Sequence, residues 1–165
     1  MKSVFDFVIE PKKARSTSKK NIQGKELLLN TELQNHEYVS RHGVVIAAPI
    51  AGTTEIKAGD EVIVHHNVFR VMRDIRGKEK NSRSYYNDNT FLVQPNQIYA
   101  YKRNNDWRCV KGYCFIKPLV NKNTFSEHKE RPCIGIIKYA DKGFKKGDLV
   151  GFKPVMEYEF RKNHY

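Results

Sequence analysis

Short apolar runs, separated by polar residues that favour turns, occupy most of this chain. Val4 to Pro11 predicts a strand, with Val8-Ile9 as its apolar pair and Pro11 closing it. Tyr38 to Pro49 predicts a second around the unbroken run Gly43-Val44-Val45-Ile46-Ala47-Ala48. Gly59-Asp60 then launches a strand from Glu61 to Phe69, because glycine supplies the positive φ of a tight turn and aspartate bonds its own backbone. Tyr85 to Val93 reads as two strands about Asn87-Asp88-Asn89. Gln94-Pro95-Asn96-Gln97 turns the chain into Ile98 to Lys102, and Asn104-Asn105-Asp106 turns it again into Trp107 to Leu119. No segment sustains helical periodicity, so the expected class is all-β, a barrel or sandwich.

Two stretches break this pattern. Lys12 to Gln23 has only Ala14 and Ile22 as apolar residues, too few to offset the entropy of ordering it, and reads as a mobile loop. Gly24-Lys25-Glu26 follows it and leads into Leu27-Leu28-Leu29, with polar residues again to Glu37 except for Leu33. Three leucines in such surroundings are either a short buried element or an exposed hook for a partner, and the polar flanks favour the hook. The second stretch, Arg70 to Arg83, holds four Arg and two Lys against one Asp and one Glu. Arg70, Arg73, Arg76, Lys78, Lys80 and Arg83 form the candidate nucleic-acid patch. No aromatic residue interleaves with them for base stacking, so a solvated hairpin arm is the stronger reading.

Landmarks recur in order. Phe7-Val8-Ile9-Glu10-Pro11 is matched by Cys114-Phe115-Ile116-Lys117-Pro118, Gly43 by Gly135, and Gly59-Asp60 by Gly147-Asp148. The shifts are 107, 92 and 88 positions, so the second copy is shorter, chiefly between its first two landmarks. A tandem duplication is expected, with a first domain over 1–111 and a partial second copy over 112–165. The sequence stops soon after Val155 to Phe160, and the second copy is expected to be truncated or completed by another chain.

The 165 residues carry a formal charge of +12, which suits nucleic acid, a membrane surface or an acidic partner without choosing among them. Cys109, Cys114 and Cys133 follow no zinc or disulfide spacing and read as small apolar residues in a reducing compartment. His65 and His66 are adjacent and, in a strand, would point to opposite faces, poorly placed for one metal ion. No apolar run is long enough to span a bilayer, and Asp6 interrupts any signal-like apolar core at the N-terminus, so a cytoplasmic protein is expected.

The order of these elements resembles the GroES-type co-chaperonins. Phe7 to Pro11, Gly24 to Leu29, His42 to Ala48, Ile56 to Val64 and Asn89 to Ala100 carry the resemblance, which covers about residues 4–102 and more weakly 113–160. It implies a small, partly open β-barrel with a mobile loop over about 12–37 and a second partial copy of that barrel. It further implies assembly into a homo-oligomeric ring that caps an ATP-driven chaperonin, with Gly24, Leu27, Leu28 and Leu29 as the docking residues. ATP would belong to the partner, and no cofactor of the chain's own is implied. Only Ile50 to Lys57 stands where the family's roof hairpin would lie, and the 70–83 arm is longer than usual. Co-chaperonins of bacteriophages are similarly divergent, which implies a host-cytoplasmic setting if the chain is phage-encoded. The same barrel occurs in zinc-dependent alcohol dehydrogenases, but the sequence shows no ligand cluster and no Gly-rich phosphate loop, so no enzyme is expected. The alternatives are a basic nucleic-acid-binding barrel and a virion structural or assembly protein.

Overall fold

The computed structural model describes residues 1–13, 19–22, 25–28, 39–120 and 130–154. They are all-β apart from one 3-10 turn at Pro95–Gln97. The chain divides into two compact units, Met1–Asn105 and Asp106–Tyr165. In chain order the first holds β1 (Phe7–Pro11), β2 (Lys19–Ile22), β3 (Lys25–Leu28), β4 (His42–Ala47), β5 (Glu61–Val64), β6 (Val71–Arg73), β7 (Glu79–Asn81), β8 (Tyr85–Asn87), β9 (Thr90–Val93) and β10 (Ile98–Arg103). The second holds β11 (Asp106–Cys109), β12 (Cys114–Val120), β13 (Glu130–Ala140) and β14 (Leu149–Gly151).

The first unit contributes six antiparallel strands to its main sheet, in the order β10-β5-β4-β1-β9-β8. Strand order is linear, and no sheet closes on itself among the described residues. Phe7, Val8 and Ile9 are all buried, as are Val62, Ile63 and Val64, so both faces of β1 and β5 are covered. Val68 and Phe69 complete this core, with Phe69 edge-to-face on Phe91 at 4.9 Å between ring centres. No strand lies between β4 and β5, in keeping with the short connection read there. The hairpins β2–β3 and β6–β7 each form a two-stranded sheet of their own.

Two expectations change. Lys12 to Gln23 reads as loop, yet Lys19–Ile22 pairs with Lys25–Leu28. A ladder satisfies backbone donors and acceptors whatever the side chains, so low apolar content did not exclude it. The strand expected to reach Phe69 stops at Val64. There the His65 amide donates to the Gln97 carbonyl at 2.8 Å and the Val68 amide to the His65 carbonyl at 3.0 Å, which turns the chain. The rings of His65 and His66 consequently lie together, with centroids 4.1 Å apart, rather than on opposite faces.

In the second unit β13 lies between β12 and β14. Its pairings follow those of the first unit position by position. Val8 faces Ala47, Ile9 faces Val45, Glu10 faces Val44 and Pro11 faces Gly43, with an irregularity between Val8 and Ile9. Phe115 faces Tyr139, Ile116 faces Ile137, Lys117 faces Ile136 and Pro118 faces Gly135, with the irregularity between Phe115 and Ile116. Likewise His42, Gly43 and Val44 face Ile63, Val62 and Glu61, while Ile134, Gly135 and Ile136 face Gly151, Val150 and Leu149. The turns agree too. The Gly59 amide donates to the Val45 carbonyl at 2.7 Å and the Val45 amide to the Asp60 carbonyl at 2.9 Å; Gly147, Ile137 and Asp148 repeat this at 2.9 and 2.9 Å. Both turn glycines are left-handed, at φ +89 and +100, where a side chain would be strained.

Candidate partner-binding hairpins

The chaperonin-docking residues expected from sequence fall on or beside β2–β3. Leu27 and Leu28 lie in β3, opposite Lys20 and Lys19 in register. Gly24 and Leu29 lie outside the described residues. The six cations of the second stretch are gathered on the β6–β7 arm and its two roots. Arg70 is half-buried where the chain leaves Phe69, Arg73 ends β6 opposite Glu79, and Arg76, Lys78, Lys80 and Arg83 are exposed.

The arm is firmly built at both ends. At its root Val68 and Phe69 are wholly buried, and the Ser82 hydroxyl donates to the Val68 carbonyl at 2.6 Å. At its tip the Asp74 amide donates to the Lys78 carbonyl and the Gly77 amide to the Asp74 carbonyl, both at 2.9 Å. One Asp74 carboxylate oxygen accepts from the Arg76 and Lys78 amides, both at 2.9 Å. This is an aspartate-led turn closed by a left-handed glycine, Gly77 at φ +77. It leaves Ile75 wholly exposed, with 104% relative accessibility. Sequence reading counted the charges and passed over Ile75; the available signal was an isoleucine inside Asp-x-x-Gly, where a polar residue is the ordinary choice.

Two charged networks brace the sheet. Asp60 is 5% exposed; its side chain accepts from the Lys57 amide at 2.8 Å and from Arg103 Nε at 2.9 Å, and Arg103 Nη2 also reaches the Glu55 carbonyl at 2.6 Å. Burial works to raise the Asp60 pKa, but the Arg103 and Lys57 hydrogen bonds and charges outweigh it and hold the carboxyl below its ordinary value. Glu61 accepts from Lys12 Nζ at 2.6 Å and lies 3.1 Å from His42 Nδ1. Burial again opposes, and Lys12 with His42 again prevails, so Glu61 is also lowered. Glu61→Gln is expected to cost about 0.5–1 kcal/mol at neutral pH, since Lys12 is largely exposed and screened. That difference should hold above the ordinary glutamate value of 4.5 and fade as pH falls below it through the depressed value, as checked by urea unfolding across pH.

The matched positions in the second unit carry different chemistry. Leu119, Ile134 and Leu149 stand where Lys12, His42 and Glu61 stand in the first, and Ile134 and Leu149 are exposed. Asp148 keeps the turn bond from the Lys145 amide at 2.8 Å, but no guanidinium meets it among the described residues. Cys109 is buried, and that burial pushes its thiol up to about 12, so it holds its proton at neutral pH. Among the described residues no group of three or more His, Cys, Asp or Glu side chains is placed to hold a metal ion, and no helix is long and apolar enough to cross a membrane. Comparison with family models, curated proteins and solved structures finds no match.

Proposed function

We propose that the chain is a divergent co-chaperonin, built as a tandem duplication of a GroES-like barrel, that binds a GroEL-type chaperonin through Leu27, Leu28 and Leu29. The observation carrying this reading is the β2–β3 hairpin, which brings Leu27 and Leu28 onto a two-stranded sheet separate from the main one. The sequence order of the first unit supports it, as does the matched register of the second. A docking hairpin must present an apolar contact to its partner without unsettling the main sheet. Each leucine buried on a partner contributes roughly 1.5–3 kcal/mol, and ordering the segment offsets part of that. A homo-oligomeric ring presents many such hairpins at once, so a weak single contact becomes an effective cap over a folding client in the cytoplasm. ATP is handled by the chaperonin.

The test is a pull-down of the purified protein on a bacterial chaperonin, with and without ATP. Wild type is expected to be retained, and the triple variant Leu27→Ser, Leu28→Ser, Leu29→Ser to lose about 100-fold or more in affinity with an unchanged circular dichroism spectrum. Full retention of the variant would overturn the docking role.

A further inference from the structure

The β6–β7 arm serves nothing in the reading above. Its two legs are three-residue strands, its root is anchored, and its tip is fixed by four hydrogen bonds. Such a turn gains nothing within the protein by holding Ile75 out in water. An apolar residue in that place is useful when something else receives it.

The surrounding charge indicates what that is. Residues 70–83 carry six cations and two acids, and the Asp74 carboxylate is already engaged by two amides. Arg76, Lys78, Lys80 and Arg83 are exposed and run from the tip back along one leg to the root. Their spread decides between a flat anionic surface and a grooved one. Lys78 stands just before the β7 strand and Arg83 in the turn beyond it, so the two lie more than about 10 Å apart along the leg. That exceeds the Debye length of roughly 8 Å at physiological salt. On a flat lipid surface touched by the tip, the rear cations would contribute little. In a groove walled by phosphates, all of them face anions. A two-stranded ribbon fits the major groove of B-form DNA, about 12 Å wide, where an apolar side chain can meet the thymine methyl groups.

We propose that the β6–β7 arm is a binding element for double-stranded DNA, which enters a groove with Ile75 leading while Arg76, Lys78, Lys80 and Arg83 contact the flanking phosphates. Contact of this kind is set by backbone charge and groove shape, with little dependence on sequence. The element is independent of the leucine hairpin, so either role can fail without the other.

The experiment is fluorescence anisotropy of the full chain with a labelled 20-base-pair duplex, the matching single strand, and phosphatidylserine vesicles as competitor. Binding to the duplex should weaken with a slope of roughly −3 to −4 in log affinity against log salt, about a hundredfold between 50 and 200 mM. Arg76→Glu, Lys78→Glu, Lys80→Glu together should lose at least a hundredfold at 50 mM salt with the unfolding transition unchanged. Ile75→Ala should lose several-fold with the slope unaltered, which separates the apolar contact from the charges. The charge-reversed protein should still be retained by a chaperonin if the leucine hairpin docks there. The inference is overturned by no duplex binding at low salt, by undiminished binding of the charge-reversed variant, by equal affinity for the single strand, or by vesicles that strip the protein from the duplex.

Discussion

Gly43→Ala is expected to destabilise the first unit by about 3 kcal/mol or more, among the largest losses a single methyl can cause here. Gly43 lies in β4, facing Pro11 on one side and Val62 on the other. A Cβ built there would stand 2.5 Å from Ile9 Cγ2, 3.0 Å from the Glu10 carbonyl oxygen and 3.0 Å from Phe69 Cζ. Ile9 and Phe69 are wholly buried, so neither can swing into solvent to make room. The carbonyl belongs to the ladder itself. The whole β1–β4 contact must therefore spread, and with it the seat of Phe69 at the root of the basic arm. Urea unfolding should show the midpoint falling by roughly 1–3 M at the slopes usual for small proteins. Gly135, the matched residue of β13, is the internal control. Its Cβ would meet the Lys117 carbonyl at 2.9 Å, the same ladder clash as at Gly43, but its side-chain neighbours are Ile116 Cδ1 at 3.3 Å and Cβ at 3.4 Å, on a residue that is only half-buried. Gly135→Ala should therefore cost less by the part that the buried Ile9 and Phe69 add at Gly43. Equal costs at the two glycines would mean that the buried neighbours of Gly43 are not what makes it small.

How much of this was legible beforehand follows from which interactions are local. Strand-and-turn grammar was readable because it depends on neighbours in sequence: Gly59-Asp60 and Gly147-Asp148 both make the turn that their residue types require. The shifts of 107, 92 and 88 were readable for the same reason, and the two sets of pairings follow them throughout. What could not be read was long-range. Arg103 meets Asp60 across 43 positions, and Lys12 meets Glu61 across 49. Both partners of each pair look like ordinary surface charges in a chain with 48 acidic and basic residues, 30 Lys and Arg with 18 Asp and Glu. The end of β5 at Val64 was also hidden, since Val68 and Phe69 are as apolar as any strand residue and the Gln97 carbonyl, from a distant turn, takes the His65 amide where the chain turns aside. Of the candidate sites, the arm's cations were plain from composition. Its most telling residue, Ile75, was not, because exposure is a property of the folded turn.

The Asp60–Arg103 pair yields the other large effect. Asp60→Ala is expected to cost about 1–3 kcal/mol, because it removes the bond that closes the turn and leaves the Arg103 guanidinium, a third of it in solvent, without its carboxylate. Asp60→Asn keeps an acceptor for the Lys57 amide and removes the charge, so it should lose part of that amount. The pH dependence separates the two contributions. Asp60 is held below its ordinary value of 3.8, so the charge contributes fully above that pH and is lost as pH falls through the depressed value. The stability gap between wild type and Asp60→Asn should accordingly be flat above roughly pH 5 and close in stronger acid, while the gap to Asp60→Ala closes only in part. Asp148→Ala provides the contrast. It loses the same turn bond from the Lys145 amide, but Asp148 is exposed and no guanidinium meets it among the described residues, so its loss should be less than half that of Asp60→Ala. Matching losses at the two aspartates would show that the turn alone, and not the Asp60–Arg103 ion pair, holds β5 against β10. The second unit would then rest on the same footing as the first, despite the leucines and isoleucine that replace its charges.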